Sequence, residues 1–185
     1  MPDLAGRKTV YYGFTGVIDS NNATRLAAAL NAATNGGYDE AYICLNSQGG
    51  YVSDGVFLYN HIKSLPIKVI MHNMGGVHSI AVTVFVAAAE RFCSAHSIFM
   101  IHPTTIGPLQ EAMTWERLDG ARDAALADDQ RTENILRERT TIPNEFLSAR
   151  RVREVYITPQ DALKFGIAHR VSEFALPKGH EIIQI

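Results

Sequence analysis

The chain has 185 residues, of which 46% are hydrophobic, and its 17 basic and 19 acidic side chains leave a net charge of −2. This length suits one domain with a sizeable core, and we predict a single domain over residues 1–185. Because the charge is close to neutral, it favours neither nucleic acid nor an anionic membrane as a partner.

Signals for export, membrane insertion and disulfide bonding are weak. The first eight residues lack the apolar core of a signal peptide. The longest near-apolar run, Ile80 to Ala89, is half of the roughly 20 residues that span a bilayer. Cys44 and Cys93 form no CxxC pair, so we expect two buried, reduced thiols and no metal or cofactor. These features predict a cytoplasmic protein without membrane contact.

Strands and helices alternate along the first part of the chain. Apolar runs predict strands at 9–14, 41–46, 67–71 and 97–101, and periodic stretches predict helices at 21–33, 53–65 and 80–89. Ser53 is the expected N-cap of the second helix, and Pro66 is expected to end it. This alternation with short links indicates βαβ units and an α/β fold with a mainly parallel sheet.

The region after His102 is charged and helix-prone, with an incomplete apolar stripe. We predict a long helix over 109–139, where Gly120 is a weak point. A helix of this length with little local core needs support, so we favour packing on another subunit over a solvated arm. A short helix at 159–166 and a closing strand at 167–171 are predicted to follow.

Ser79 lies just before the apolar run that begins at Ile80. Its position alone favours a structural role, in which its hydroxyl caps the helix. The free backbone N–H groups at a helix start also favour negative charge, which suits an activated nucleophile. Acyl transfer would need a base and oxyanion donors besides such a hydroxyl. A lipase-type elbow is excluded because Val77 and Ala81 replace its two glycines.

Histidine is the expected base because imidazole titrates near neutral pH. His102 follows the apolar run 98–101 and is one candidate. His72, His78 and His96 are rivals, and their spacing does not choose among them.

Two backbone N–H groups are candidates for an oxyanion hole. That of Ile80 directly follows the nucleophile candidate, and that of Gly50 belongs to a glycine pair after an apolar run. Glycine fits this role because its backbone can approach a substrate closely.

Five short motifs occur in order with compatible spacing. They are LNSQGG at 45–50, MGGVHS at 74–79, RFC at 91–93, FMIHP at 99–103, and REVYITP at 153–159 followed by ALKFG at 162–166. Over most of the chain, from about Val10 to Val171, this series resembles the Clp protease proteolytic subunit (ClpP) family.

The resemblance implies a serine endopeptidase with a crotonase-like ββα spiral fold. It makes Ser79 the nucleophile and His102 the base, and it assigns the Gly50 and Ile80 N–H groups to the oxyanion hole. It also implies a protruding handle helix, in a handle region of approximately 103–142. The family typically forms two stacked heptameric rings around a chamber, into which Clp-type ATPase partners feed unfolded proteins. We therefore expect a homo-oligomer acting on peptides or unfolded proteins.

The chain departs from the family pattern at several positions. Glu154 stands where the family has its triad aspartate, and we expect it to be the third triad member. Its alternative role is an ion pair with Arg150, Arg151 or Arg153. His78 replaces a small residue before the serine, and Gln48 stands where proline is usual. The segment before the first strand is short, which puts docking of the ATPase in question.

Two other functions remain open from the sequence. The Glu154 and His78 departures suit a catalytically impaired ring subunit or scaffold. A crotonase-type acyl-CoA enzyme is the other possibility, because such enzymes also use an oxyanion hole. Against it, such enzymes do not need a Ser-His pair at these positions, and the chain shows no basic cluster for a CoA nucleotide.

Overall fold

The computed structural model describes residues 7–107 and 113–185. Eight strands and six helices follow one another within this part of the chain. The strands are β1 (Thr9–Ile18), β2 (Glu40–Gly50), β3 (Lys68–His78), β4 (Glu90–Cys93), β5 (Ile98–Ile101), β6 (Val155–Ile157), β7 (Arg170–Val171) and β8 (Ile182–Gln184). The helices are α1 (Ser20–Asn35), α2 (Val52–Ser64), α3 (Ile80–Phe85), α4 (Trp115–Arg139), α5 (Asn144–Ala149) and α6 (Pro159–Lys164).

All eight strands belong to one sheet, and the predicted mainly parallel arrangement is confirmed. Its main path runs β6-β5-β3-β2-β1-β8, while β4 pairs with β3 and β7. Each pairing is parallel except that of β5 with β6, which is antiparallel. The connections between neighbouring parallel strands place α1, α2 and α3 against the sheet, as βαβ units require.

The core lies between the sheet and these helices. Helix α1 begins where the Asp19 carboxylate accepts a hydrogen bond from Asn22 N at 2.8 Å, a typical N-cap. The helix then buries Leu26 and Leu30, one turn apart, on the face that covers the sheet. Burial of such a leucine contributes about 1.5–3 kcal/mol to folding. The central helix α3 is buried along its whole length, and its Phe85 packs edge-on against Phe99 of β5.

Helix α3 is shorter than the predicted 80–89 helix. It ends at Phe85. Val86 N still bonds four residues back, to Val82 O, but Ala87 N and Ala88 N bond three residues back, to Val84 O and Phe85 O. Ala89 N then donates to Val69 O and leads the chain into the sheet at β4. Residues 86–89 are therefore apolar because of their packing in the interior, not because they continue the helix.

The N-cap of α2 also differs from the prediction. Tyr51, not Ser53, occupies this position, and its side chain makes no capping bond. The Ser53 hydroxyl instead accepts a hydrogen bond from Arg131 Nη2 of α4 at 3.1 Å.

Strands β2 and β3 continue past their predicted ends and carry two of the sequence motifs. The register between them shifts, from Leu45 opposite Asn73 to Ser47 opposite Val77, so β3 bulges by two residues. Asn46 Oδ1 accepts from Gly76 N at 3.0 Å, which holds the bulge against β2. The two strands consequently end side by side, with the glycine pair of β2 next to the segment that precedes α3.

Helix α4 confirms the long helix expected after His102. It has 25 residues and begins at Trp115, where Thr114 accepts from Arg117 N. The predicted start at Leu109 lies outside the described residues. Within α4 only Thr132, Glu133 and Leu136 are buried, whereas Trp115 is 72% and Leu126 58% exposed.

Candidate active site

Ser79 joins β3 to α3 with an unusual backbone conformation. Its φ of 57° and ψ of −132° make it the one non-glycine with positive φ among residues 7–107 and 113–185. Such a conformation costs on the order of 1–3 kcal/mol. The hydroxyl forms no capping bond with α3, so the capping interpretation of Ser79 is wrong. Ser79 Oγ instead lies 2.7 Å from His102 Nε2, within hydrogen-bond distance.

His102 follows the end of β5, and the loop after it is fixed by hydrogen bonds to α4. Thr104 N and Oγ1 both donate to Asp129 Oδ1, at 2.7 and 2.9 Å, which ties this loop to α4. The rival histidines have other surroundings. His72 is buried between Tyr42 OH at 2.7 Å and Ser94 Oγ at 3.2 Å, and His96 is exposed. Of the four histidines considered, His102 is the one that the structure brings to Ser79.

Gly50 and Ile80 line the same cavity as Ser79 and His102, which has a volume of about 190 Å³. Ile80 is the first residue of α3, so its N–H has no carbonyl one turn earlier to bond. Gly49, at φ 93°, must lack a side chain because a Cβ would lie 2.6 Å from the Cβ of Ser79. A Cβ on Gly50 would overlap the carbonyl of Ile18. The glycine pair thus lets the end of β2 pass directly against the serine.

Glu154 lies just before β6, and His102 lies just after β5, the strand that pairs with β6. The antiparallel register pairs Met100 with Tyr156 and Ile101 with Val155, and the ladder ends there, one residue short of His102 and Glu154. Its carboxylate, however, accepts a hydrogen bond from Tyr156 OH at 2.7 Å. This bond raises the pKa of Tyr156. No hydrogen bond joins Glu154 to His102 in the described part of the chain, so the structure assembles two of the three predicted triad members.

The arginines considered as partners of Glu154 bond elsewhere. Arg150 pairs with Asp129, and Arg151 with Glu133. Arg153 contacts the backbone carbonyl of Glu154, at 3.5 Å, rather than its carboxylate. The ion-pair interpretation of Glu154 is therefore not what the structure shows for these three arginines.

His78, which precedes the serine, is partly buried. Its Nδ1 lies 3.0 Å from Gln48 Oε1, so the two departures from the family pattern contact each other. Its Nε2 is buried and has no hydrogen-bond partner among the described residues. Burial lowers the pKa of His78, with a smaller opposing effect from the Glu154 charge, which favours the neutral imidazole.

The cavity also contains polar residues that the sequence analysis did not single out. Asp128 and Thr132 of α4 line it, together with Arg150, which follows α5. No linear motif connects these three positions to Ser79. Contacts of Asp129 on α4 with Thr104 and Arg150 join these segments to the loop after His102.

The described residues also bear on metals, membranes and thiols. In residues 7–107 and 113–185, no group of three or more His, Cys, Asp or Glu could hold a metal ion. No helix in these residues is long and apolar enough to cross a membrane. Cys44 and Cys93 are buried and free, as expected, and burial raises the pKa of each to about 11.

A strained serine at a strand–helix junction, within hydrogen-bond distance of a histidine and beside a glycine pair, is an arrangement typical of serine hydrolases. The family model described as Clp protease matches residues 7–174, and the chain belongs to this family. It is a divergent member of a family of serine endopeptidases.

Known proteins resemble the chain over most of its length at low identity. The ATP-dependent Clp protease proteolytic subunit 2 of Pseudomonas aeruginosa is 24% identical over 159 residues, covering 85% of this chain and 78% of that protein. The proteolytic subunit 3 of Rhizobium etli is 26% identical over 158 residues, covering 84% and 80%. The solved structure of a ClpP1 point mutant from Listeria monocytogenes superposes with a TM-score of 0.77 at 23% identity, covering 90% and 92%. This last likeness establishes the ClpP-like fold.

Proposed function

We propose that the chain hydrolyses peptide bonds with Ser79 as nucleophile and His102 as general base. The observation that carries the proposal is the 2.7 Å separation of Ser79 Oγ and His102 Nε2 at the wall of an open cavity. The backbone of Ser79 supports it, because strain of this kind is typical of functional sites.

The reaction proceeds in two halves. Ser79 Oγ attacks the substrate carbonyl carbon while His102 Nε2 takes the hydroxyl proton. The tetrahedral oxyanion accepts hydrogen bonds from the Gly50 and Ile80 N–H groups. Collapse breaks the C–N bond, and His102 gives its proton to the leaving amine. Water then attacks the acyl ester by the same route, which releases the acid and restores the Ser79 hydroxyl.

Glu154 is proposed as the third member of the triad. Continuing the β5–β6 register by one residue would bring Glu154 opposite His102, which supports this role. Rotation away from Tyr156 would let it accept from His102 Nδ1, fix the tautomer and stabilise the imidazolium. In this proposal the Tyr156 bond is the resting arrangement of Glu154.

The active unit is proposed to be a homo-oligomer that encloses the site. The exposed apolar side chains of α4 support this assembly, because a single chain leaves them uncovered. The relatives' names, ATP-dependent proteolytic subunits, favour unfolded protein delivered by an ATPase as substrate. We propose the cytoplasm as the compartment for this activity.

A catalytically impaired ring or scaffold subunit is the second candidate. The observation in its favour is the Glu154–Tyr156 bond, which leaves His102 without its carboxylate partner. A crotonase-type acyl-CoA activity has no comparable support in the cavity.

Covalent labelling tests the proposal directly. A fluorophosphonate probe followed by peptide mapping is expected to modify Ser79 of the wild-type protein. Ser79→Ala is expected to abolish labelling, and His102→Ala to reduce its rate by about two or more orders of magnitude, since the general base is lost.

Ser20→Ala is the matched control, because Ser20 is exposed at the start of α1 and does not line the cavity. Its labelling should equal that of the wild type. A folded oligomer that takes up no probe at Ser79 would favour the scaffold function instead.

A further inference from the structure

The cavity at Ser79 has chemically different walls. Val82, Ile101 and Leu136 make part of its lining apolar, as suits a pocket for a substrate side chain. Asp128, Thr132 and Arg150 add a carboxylate, a hydroxyl and a guanidinium to the same lining. These polar groups in a cavity that opens on Ser79 affect which substrate side chain the cavity accepts.

The Arg150 guanidinium is buried and incompletely bonded. The residue is 4% exposed. Its Nη2 donates to Asp129 Oδ1 at 3.2 Å and to Thr132 Oγ1 at 3.1 Å. Its Nε and Nη1 have no acceptor among residues 7–107 and 113–185. A buried donor left without a partner costs about 1–3 kcal/mol, so an acceptor entering the cavity is favoured.

The charges around Arg150 are already balanced. Asp129 neutralises it and is fixed by its two bonds from Thr104, next to the His102 loop. Asp128 pairs with Arg131 Nη2 at 2.8 Å. A guest carboxylate would therefore add an unbalanced negative charge beside Asp128, whereas a neutral guest would not. Arg150 thus holds two donors, unpaired within the described residues, just behind the cavity surface, and Asp128 and Thr132 contribute acceptor oxygens to the lining.

We infer that this cavity selects a primary amide side chain, glutamine or asparagine, at the residue whose carbonyl Ser79 attacks. The amide oxygen accepts from the Arg150 guanidinium, and the amide NH₂ donates to Asp128 or Thr132. An apolar side chain leaves the Arg150 donors unpaired, and a glutamate side chain is repelled by the Asp128 carboxylate. The inference rests on the proposed peptidase function, because it names the substrate class of that site.

Fluorogenic peptides that differ only at this residue test the inference. Glutamine, glutamate, methionine and leucine are compared by kcat/KM on the wild-type oligomer. The glutamine peptide is expected to have a kcat/KM about tenfold above those of the methionine and glutamate peptides, which corresponds to about 1.4 kcal/mol.

Two variants separate the contributions of the walls. Arg150→Met is expected to lower the glutamine-to-methionine ratio by about tenfold, since the apolar chain matches the length of the arginine stem. Asp128→Asn is expected to raise kcat/KM of the glutamate peptide relative to that of the glutamine peptide by severalfold, because it removes the negative charge that opposes glutamate. Comparing the ratio of kcat/KM between two peptides within one variant cancels any general loss of activity. If Arg150→Met does not fold, the Asp128→Asn variant tests the inference by itself.

The outcomes keep this inference apart from the proposed function. If Ser79 takes the fluorophosphonate but methionine or leucine peptides are cleaved faster than glutamine, the inference is overturned and the peptidase stands. If Ser79 takes no label, the peptidase function itself fails. Unchanged ratios in both variants would likewise exclude Arg150 and Asp128 as determinants of specificity.

Discussion

Ser79 shows how one backbone angle decides between two roles that the sequence leaves open. An N-cap side chain reaches back to the helix N–H groups from an extended backbone. At φ 57° the Ser79 side chain is directed elsewhere, toward His102. The residue type and the adjoining apolar run are visible in the sequence, but the angle depends on the β3 bulge and on Gly49, which are tertiary features.

Glu154 leads to a prediction about the third triad residue. Glu154→Gln is expected to lower kcat by about three to four orders of magnitude with assembly unchanged, since the amide cannot stabilise the imidazolium. Tyr156→Phe is expected to preserve kcat or raise it up to about fivefold, because it removes a competing hydrogen bond worth about 1 kcal/mol. Both are measured with a fluorogenic peptide.

Tyr38→Phe makes the same chemical change away from the cavity and should leave kcat unaltered. Full activity in Glu154→Gln would remove Glu154 from the triad. A loss of activity in Tyr156→Phe would show that the tyrosine positions the carboxylate instead of withholding it.

At the scale of elements, apolar patterns predicted the strands and helices that build the core. Their ends were less predictable. Residues 47–50 and 73–78 consist mostly of glycine and polar residues, so strand propensity is low in them. They become strands because neighbouring backbone and the Asn46 side chain supply hydrogen bonds. The two motifs beside Ser79 therefore lie at the strand ends, where strand propensity is lowest.

Short edge elements were missed for a related reason. Strand β8 pairs with β1 through three residues, and β6 pairs with β5 through three. Runs of this length carry too little pattern to be separated from loops. The β6 pairing nevertheless brings Glu154, the residue before β6, near the end of β5 that His102 follows.

Helix α4 leads to a prediction about assembly. Leu126 lies on α4 and is 58% exposed in the single chain, so we expect a second subunit to cover it. Leu126→Asp is expected to weaken association by at least about tenfold, since burial of a leucine is worth about 1.5–3 kcal/mol. Sedimentation velocity over a range of concentrations measures the shift toward smaller species.

Leu163→Asp is the matched control, because Leu163 is also exposed but lies on α6. It should assemble as the wild type does. Equal assembly of Leu126→Asp and the wild type would place the subunit contact away from this part of α4.

At the scale of the whole molecule, the candidate site combines segments that are distant in sequence. Ser79 and His102 follow adjacent strands of the sheet. Spacing alone left four histidines open as the base, and the resemblance to the ClpP family selected His102. Asp128, Thr132 and Arg150 come from a region whose sequence is typical of a solvated face. Their place in the cavity depends on Asp129 bonding both Thr104 and Arg150, which no periodicity indicates.

The whole fold should also become less stable in mildly acidic solution. Burial lowers the pKa of His72, His78 and His169. The unfolded chain therefore binds protons near pH 6.5 that the folded chain does not, so the free energy of unfolding falls as pH drops below about 6.5. The fall continues until the pH reaches the lowered folded-state values. Urea denaturation at pH 7.5, 6.5 and 5.5 measures it.

His72 is fully buried, so it should contribute most to this dependence. His72→Gln keeps a side chain that can bond Tyr42 and Ser94 but removes the titration. We expect the pH slope between 6.5 and 5.5 to decrease by up to about 1 kcal/mol per pH unit. His96→Gln replaces an exposed histidine and should keep the wild-type slope. If the two variants share one slope, the buried imidazole of His72 is not the group that couples protons to folding.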